Sequence, residues 1–521
     1  MAEPLHNLLA EPMLSVAQRG AAIARRTLPE ALAALAVGEA IEFAALQPHQ
    51  FHAWHAFLVQ LGALAAYRSG ALDVSTIREA AQWTEGLLGL TDSRAEPWCL
   101  IVPDLRAAAF MQPPVSEASI AKWKADNATA APDAIDLLET ARNHDVKMER
   151  IVEPRPEHWI YALVSLQTMQ GFSGGGHYGI ARMNGGVSNR PAFTAARDLG
   201  WPTRFVRDAN LLLGTRGEIA TQRSFDPETG RALLWLEPWD GAGQLAVSEL
   251  DPFFIEICRR IRLREERGRI VAGWTTSKAT RIAAKEQKGN LGDLWTPVKT
   301  EDGAALTASD LSYHLVQRVI FGGEFRPSRA SILRPGDGAE PLLACQVLVR
   351  GQGKTGGYYE RFIPVPPKAG ARLATEDGRR QLGELAKQRI AEVKDVASKA
   401  LRPALAALLQ GGPDRLDFRD PRLAAFAAPF DREIDRVFFA ELFADVELSF
   451  EAARGRWLDQ LLACARQTLE RAKESAPVPS ARVFRARAAA DRIFNGVAHR
   501  LRGAGGESIE RTGGDHESPT A

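Results

Sequence analysis

The sequence has 521 residues, of which 45% are hydrophobic and 25% are charged, and its formal net charge is +1. This length exceeds one ordinary hydrophobic core, so we expect at least two domains, and the composition excludes a disordered or fibrous chain. The near-neutral charge excludes a strongly basic, free-standing nucleic-acid binder, so any contact with nucleic acid has to be local.

The N-terminal segment MAEPLHNLLAEPMLSV lacks the basic and apolar regions of a signal peptide, and no later stretch is long and apolar enough to cross a bilayer. We therefore expect a cytoplasmic protein without membrane contact. Four cysteines, Cys99, Cys258, Cys345 and Cys464, stand far apart without a CxxC pair. This spacing argues against a zinc ribbon or a disulfide scaffold and predicts reduced, mostly buried thiols.

Residues 1–370 mix helical and extended patterns without a regular strand–helix alternation. Helical apolar spacing occurs at 28–40 and 49–70, whereas 231–239 and 341–351 have the pattern of strands. We therefore predict an irregular α+β N-terminal domain rather than a doubly wound or barrel fold.

Three histidines, His49, His52 and His55, stand three residues apart on the second predicted helix. They could act as metal ligands, but no carboxylate pattern such as HExxH accompanies them. An aromatic, partly exposed helix face is the favoured interpretation, and we predict no metal site.

Glycines concentrate at 171–186 (GFSGGGHYGIARMNGG), and two stretches rich in arginine and lysine follow at 258–270 and 277–290. A GxSxG nucleophile elbow at Ser173 fails on spacing and has no evident partner residue. The glycines either let the backbone approach a groove or a phosphate or form an ordinary turn, and both interpretations remain open.

The segment GQGKTGG at 351–357 follows an apolar strand and contains Gly353-Lys354-Thr355, so a nucleotide-binding P-loop is an alternative. Leu348 occupies the position of the leading glycine. In addition, the following residues YYERFIPVP have an extended pattern where a P-loop opens a helix.

Residues 371–503 predict a four-helix bundle, and the polar, glycine-rich tail 504–521 is expected to be disordered. The first helix should kink at Pro403 and end at 411–413, and the second should begin near Asp431. The third follows Ser449 as N-cap. Its predicted buried face comprises Phe450, Ala453, Trp457, Leu461 and Cys464.

The fourth helix follows Pro477 and Pro479 and is strongly basic. Against the single acid Asp491 it carries Arg482, Arg485, Arg487, Arg492, Arg500 and Arg502. One-sided arginine indicates either a phosphate-facing surface or a solubilising face, and Arg485 and Arg492 are the candidates to face DNA.

Taken in order, several segments resemble the CasA family, the large subunit of the type I-E CRISPR Cascade complex. The resemblance spans nearly the whole chain. It comprises HNLL near the N-terminus, FMQPP (110–114), the run from QGFSGGGHYG through RDANLLL, FIEIC (254–258), KEQKGNLGDLW (285–295) and the closing helical bundle.

The resemblance implies an α+β N-terminal domain followed by a four-helix bundle, in a protein that is not an enzyme and holds no cofactor. Such a subunit would recognise the protospacer-adjacent motif (PAM) of double-stranded DNA mainly from the minor groove and help to open the duplex for the crRNA. It would then recruit a helicase-nuclease. Its implied partners are the other Cascade subunits, crRNA, target DNA and that effector.

The resemblance also implies which loops carry these contacts. The glycine loop falls on Gly171, Phe172, Ser173 and Gly174, and the lysine finger on Lys288, with Lys285 as second candidate. The wedge that separates the first base pair falls on Gln352, Gly353, Lys354 and Thr355. A fourth loop, which would contact the crRNA end and a neighbouring subunit, contains Lys147 and Arg150.

Overall fold

The computed structural model describes residues 3–18, 20–115, 128–135, 151–172, 174–181, 184–185, 188–334, 340–351 and 354–503, with backbone alone at 180–181, 184–185, 188, 350–351 and 354–355. The chain divides into two compact units. The first comprises Met1–Leu311 and Gly323–Phe362, and the second Ser312–Gly322 and Ile363–Ala521. The division therefore falls before residue 370, and one short segment within 1–370 groups with the second unit.

Both units contain α-helices, whose bounds follow in chain order. In the first unit they are α1 (Leu28–Ala36), α2 (Phe51–Arg68), α3 (Ala80–Gly89), α4 (Pro156–Met169) and α5 (Trp201–Arg223). In the second they are α6 (Tyr313–Phe321), α7 (Pro367–Leu373), α8 (Glu376–Asp395), α9 (Arg402–Leu409), α10 (Arg422–Ala444), α11 (Phe450–Ser475) and α12 (Val483–Gly503).

Apart from β19 and β20, the strands are short, and they are scattered along the first unit. They are β1 (Leu5–Asn7), β2 (Leu14–Gln18), β3 (Ala24–Arg26), β4 (Ile41–Phe43), β5 (Cys99–Ile101), β6 (Ala128–Thr129), β7 (Ile180–Ala181), β8 (Asn184–Gly185), β9 (Ser188–Asn189), β10 (Ala192–Ala196), β11 (Arg231–Leu233), β12 (Leu245–Ala246), β13 (Leu250–Ile255), β14 (Arg260–Glu266), β15 (Arg269–Thr275), β16 (Ile282–Ala283), β17 (Val298–Lys299), β18 (Phe325–Arg326), β19 (Leu342–Gly351) and β20 (Lys354–Pro364).

Among the described residues these strands form small separate sheets rather than one continuous sheet. The larger ones have the orders β3-β2-β4, β7-β8-β9, β10-β19-β20 and β14-β15-β6. Strands β14 and β15 form an antiparallel hairpin, with Arg260 opposite Thr275. The predicted α+β class with a C-terminal helical region is confirmed.

Helix α2 is the centre of the first unit. Its sequence is apolar around the whole circumference, and nearly every residue from His52 to Ala66 is buried, as expected for a helix surrounded by other elements. It packs against α3, α4, α5 and β13. The predicted helix at 49–70 is thus confirmed as Phe51–Arg68. The helix predicted at 28–40 is shorter than predicted and ends at Ala36.

The histidines of α2 lie in the core, so the predicted partly exposed face is wrong. His52 is 3% exposed and His55 is fully buried. Nε2 of His55 lies 2.8 Å from Oδ2 of Asp208, and the same oxygen accepts a hydrogen bond from Nε1 of Trp295 at 2.9 Å. Among the described residues Nδ1 of His55 has no partner. Neutral His55 therefore donates through Nε2 to the ionised Asp208.

These buried histidines make the stability of the first unit dependent on pH. Burial, together with the nearby positive charge of Arg204, lowers the pKa of His52 to about 3 and that of His55 to about 4. Since both pKa values lie below the unfolded value of about 6.5, the unfolded chain binds more protons as the pH falls. We expect the free energy of unfolding to drop by about 2 kcal/mol per histidine between pH 7.5 and pH 5.

Urea titration of tryptophan fluorescence at several pH values measures this drop. The matched variant is His52→Phe, since both ring nitrogens of His52 lack hydrogen-bond partners among the described residues and a phenyl ring can keep its edge-on contact with Trp295. The variant should lose about half of the pH dependence. An unchanged slope would contradict the assignment.

The second unit is a helical bundle around Trp457. This indole is 1% exposed, packs edge-on against Phe438, and donates through Nε1 to the carbonyl of Arg389 at 3.4 Å. The buried guanidinium of Arg389 lies 4.9 Å over the indole ring and pairs with Asp445. A charge so deeply buried needs a paired carboxylate, and Asp445 supplies it.

Several details of the bundle differ from the predictions. A π-helical turn, Val396–Leu401, precedes Pro403, which relieves the clash of its ring with the preceding turn. Helix α10 begins at Arg422 rather than near Asp431. Ser449 caps α11 as predicted, accepting from the backbone N–H of Ala452, but Phe450 beside the cap is 61% exposed rather than buried.

Candidate nucleic-acid interface

The glycine loop, here defined as residues 171–179, is fixed at its base by a buried arginine. The side chain of Arg259 is 6% exposed, donates to the carbonyl of Cys258 at 2.8 Å, and also donates to the carbonyl of Gly171. Burial lowers the pKa of this guanidinium. The buried amide of Gln167 accepts from the backbone N–H groups of Cys258 and Arg259, both at 2.8 Å. The loop therefore starts from a rigid base.

The tip of the glycine loop is open. Gly174 has φ +110°, and a Cβ atom added there would meet nothing within 4 Å, so its glycine serves the backbone conformation rather than close packing. The N–H of His177 closes the turn by donating to the carbonyl of Gly174 at 3.1 Å. The ring of Phe172 is half-buried and lies 5.3 Å from that of Tyr178. An exposed backbone turn of this kind can lie against a flat surface.

The lysine loop, here defined as residues 285–290, is a tight turn. Lys285 and Lys288 are both exposed. Lys288 has φ +48°, and its Nζ lies 3.2 Å from Oδ2 of Asp302. Nδ2 of Asn290 donates to the carbonyl of Gly303 at 3.1 Å. The turn therefore presents two ammonium groups from a fixed backbone.

The described part of the predicted wedge, Lys354 and Thr355, begins the second strand of a long hairpin. Strand β19 pairs antiparallel with β10, with Ala192 opposite Gln346, and β20 follows on the other side of β19. Lys354 and Thr355 begin β20, so the residues after GQGKT are extended as predicted and open no helix. The P-loop alternative is thus not supported.

These three loops share one support, the segment Ser188–Ala196. A Cβ atom added to Gly289 of the lysine loop would lie 2.6 Å from Nε of Arg190, so the two touch. Because β19 runs antiparallel to β10, with Gln346 opposite Ala192, the last residues of β19 lie next to β9, which directly precedes Arg190. The glycine loop leads into β7, which lies in one three-stranded sheet with β8 and β9, and β9 is the start of the same segment. The carbonyl of Gly176 in the glycine loop also accepts a hydrogen bond of 2.7 Å from the backbone N–H of Ser277, which lies shortly before the lysine loop in the chain.

The first part of the basic stretch 258–270, residues 258–263, is buried and forms no surface patch, although its composition suggests one. Arg259, Arg260 and Arg262 are all at most 6% exposed. Arg262 donates to the carbonyls of Ala107 at 2.8 Å and Val102 at 3.1 Å. Sequence reasoning missed this positioning role. The available signal was that these arginines continue the apolar strand pattern of FFIEIC.

In the second unit, the arginines of α12 are exposed as predicted. Arg485 pairs with Asp414, whereas Arg492 has no ion-pair partner within the described part of the chain. Arg502 pairs with Asp459 at 2.9 Å. The face is thus partly neutralised, and its role in DNA binding stays a prediction.

Five of the proposed contact residues lie outside the described residues: Lys147, Arg150, Ser173, Gln352 and Gly353. The predicted tail 504–521 lies outside them as well. Side chains of Lys354 and Thr355 are not described either.

Residues of the types that would indicate other chemistry form no cluster in the part of the chain that the structure describes. Cys99, Cys258 and Cys345 are buried free thiols and Cys464 is partly buried, as predicted. Within the described ranges, no group of three or more histidine, cysteine or acidic residues could hold a metal ion. No helix among them combines the length and apolarity needed to cross a membrane.

Several solved structures share this architecture over nearly the full length of the chain. The crystal structure of Cse1, a CRISPR-associated protein from Acidimicrobium ferrooxidans, superposes with a TM-score of 0.62 at 15% identity, over 97% of this chain and 99% of that one. A crystal structure of CasA from Thermus thermophilus gives 0.59 at 16% identity, over 95% and 100%. Thermobifida fusca Cse1 gives 0.58 at 15% identity, over 96% and 98%.

The chain has the CasA/Cse1 fold. No protein-family model matches the sequence, and no curated protein matches it by sequence. The resemblance seen in the sequence motifs is thus confirmed at the level of the fold, over nearly the full length of both chains. Within the CasA/Cse1 fold, the described parts of the glycine loop, lysine loop and hairpin all belong to the first unit.

Proposed function

We propose that this protein is the large subunit of a type I-E Cascade complex and recognises the protospacer-adjacent motif on double-stranded DNA. It acts there without catalysis, in the cytoplasm, with the other Cascade subunits and crRNA as partners. It aids duplex opening and recruits the helicase-nuclease that acts on the target. The observation that supports this most strongly is the shared support of the glycine loop, the lysine loop and the hairpin, in a chain with the CasA/Cse1 fold.

The geometry suits a degenerate reading of DNA. Minor-groove edges distinguish A·T from G·C pairs but carry little further information. An open glycine turn and one or two lysines can therefore accept several related motifs, while base pairing with the crRNA supplies the sequence choice. The net charge of +1 suits a subunit that binds DNA tightly only within an assembly.

Electrophoretic binding by Cascade assembled with and without this chain tests the proposal. Duplexes with the motif and with a scrambled motif are compared at one fixed salt concentration, because affinity for DNA depends steeply on salt. Preference for the motif should appear only when the chain is present. A chain that neither joins the complex nor changes its DNA binding would refute the proposal.

Replacing the lysines tests the assignment of the loop. We expect Lys285→Ala with Lys288→Ala to weaken binding of the motif duplex by about thirtyfold, since two groove contacts are lost and each costs about 1 kcal/mol. Both side chains are exposed, so folding should be unaffected.

The matched control is Arg78→Ala, which removes an exposed positive charge elsewhere on the first unit. It should leave the motif preference unchanged. If the lysine variant keeps the wild-type ratio of motif to scrambled binding, the lysine finger lies in another loop.

A further inference from the structure

A cleft of about 490 Å³ opens on the first unit beside Arg260, the first residue of strand β14. Its polar lining is dominated by arginine: Arg260 and Arg281 line it together with Arg106, and Asp240 is the carboxylate among its lining residues. The remaining wall is largely apolar and includes Trp239 and Pro114. This volume lies in the range of clefts that hold small organic ligands.

Arg281 is buried without a polar partner. It is 5% exposed, and within the described residues its guanidinium has neither a hydrogen bond nor an ion pair. Its contact is the ring of Trp239, whose centroid lies 5.9 Å away. Burial lowers the pKa of this group. An unpaired buried charge is costly, so the site favours a ligand that brings negative charge.

Arg260 is the second buried cation at the cleft. It is 5% exposed and donates from Nη1 to the carbonyl of Thr276 at 2.9 Å, while its Nε has no partner among the described residues. One hydrogen bond leaves most of the guanidinium donors of this residue unused. The two arginines together can form several charge-assisted hydrogen bonds to one anion.

The nearby carboxylates do not neutralise this pair. Asp240 accepts from the backbone N–H groups of Ala242 and Gly243, each at 2.8 Å, and these hydrogen bonds hold its pKa below the usual value. Glu237 and Glu249 are near Arg281, but both pair with Arg231, at 3.5 Å and 2.6 Å. The cleft therefore keeps two buried guanidinium groups, those of Arg260 and Arg281, that form no ion pair with any carboxylate of the described residues.

We propose that this cleft binds the phosphate of a nucleotide, either free or at the end of a nucleic-acid strand. Two guanidinium groups fit a phosphate, which carries up to two negative charges and several acceptor oxygens. The sugar and base of the nucleotide can lie against the apolar wall. A free phosphate ion would leave that part of the cleft empty. This site is separate from the three loops proposed to read the motif.

Calorimetric titration of the full-length chain tests the proposal. The probes are AMP, a short RNA with a 5′-phosphate, the same RNA with a 5′-hydroxyl, and succinate as a carboxylate control. Binding of AMP alone identifies a free nucleotide, binding of the phosphorylated RNA alone identifies a strand end, and binding of both admits either source; each supports the proposal. It is overturned if no phosphate-bearing probe binds, if the two RNAs bind alike and AMP does not bind, or if succinate binds as well as the phosphate probes.

Arg281→Gln tests the residue. We expect it to weaken binding of the phosphate probe by about tenfold, the size of one lost charge-assisted contact. The melting temperature without ligand should stay the same or rise, since an unpaired buried charge is removed. A merely structural arginine would instead lower the melting temperature and leave the affinity unchanged, which overturns the proposal.

Arg269→Gln is the charge-matched control, because Arg269 is exposed on the tip of the β14–β15 hairpin. It should bind the probe like the wild type. Should Arg281→Gln fail to fold, Arg106→Gln at the exposed rim of the cleft replaces it, with an expected weakening of about threefold. Unchanged affinity in that variant would equally overturn the proposal.

Discussion

Asp208→Ala should lower the free energy of unfolding of the first unit by about 3–5 kcal/mol, the usual cost of breaking a buried charged network. The carboxylate is fully buried. It accepts from His55 at 2.8 Å, from Trp295 at 2.9 Å and from Arg207 at 3.2 Å. Its removal leaves His55 and Trp295 without this acceptor and a cavity between α2 and α5, whereas Arg207 keeps its hydrogen bond to the carbonyl of Ala330 at 2.9 Å.

The pKa of Asp208 supports this expectation. Burial by itself would raise it, but the hydrogen bond from His55 and the neighbouring positive charges hold it at about 2. The carboxylate is therefore ionised throughout the neutral range, and Asp208→Ala removes a charged group rather than a neutral one.

Urea unfolding followed by tryptophan fluorescence measures the effect, with Glu85→Ala as control. Glu85 is exposed on α3, so its removal should change the free energy of unfolding by no more than about 0.5 kcal/mol. A loss for Asp208→Ala as small as that of the control would show that the network is not needed for the core.

Arg259→Lys should weaken binding of motif-containing duplex by assembled Cascade by about tenfold to a hundredfold, while leaving entry into the complex unchanged. The planar guanidinium donates to two carbonyls at once, those of Cys258 and Gly171, and a lysine ammonium cannot span both in the same geometry. Each lost hydrogen bond from a charged donor is worth about 1.5–3 kcal/mol. Since Arg259 acts through the glycine loop, it is a positioning residue.

A structural role alone would lower affinity for all duplexes equally, so the ratio of motif to scrambled binding is the deciding measurement. Gly179→Ala provides an independent variant, because its Cβ would lie 2.2 Å from Nη1 of Arg259 and displace the same guanidinium. Arg269→Lys on the exposed hairpin is the control. If both loop variants keep the wild-type ratio, the glycine loop does not read the motif.

The bundle was predictable because its signals are local. Helical apolar spacing and the cap Ser449 lie within a few residues of the structures they form, and α11 begins where they predict. The error at Phe450 arises because apolar character alone does not distinguish the exposed first turn from the buried face. The start of α10 was misplaced by nine residues, from Asp431 to Arg422, in a segment that contains Pro429.

By itself, then, the sequence determined the mixed class of the first unit and the helical character of the second, while the candidate loops stay predictions. Only the tertiary structure decided which charges face inward. In the sequence, Arg259 and Arg281 cannot be distinguished from surface arginines. They are buried because distant segments bring carbonyl groups and aromatic rings next to them. The shared support at Ser188–Ala196 likewise rests on pairing with β19, about 150 residues away in the chain, and such pairing is set by packing of the whole unit rather than by any local pattern.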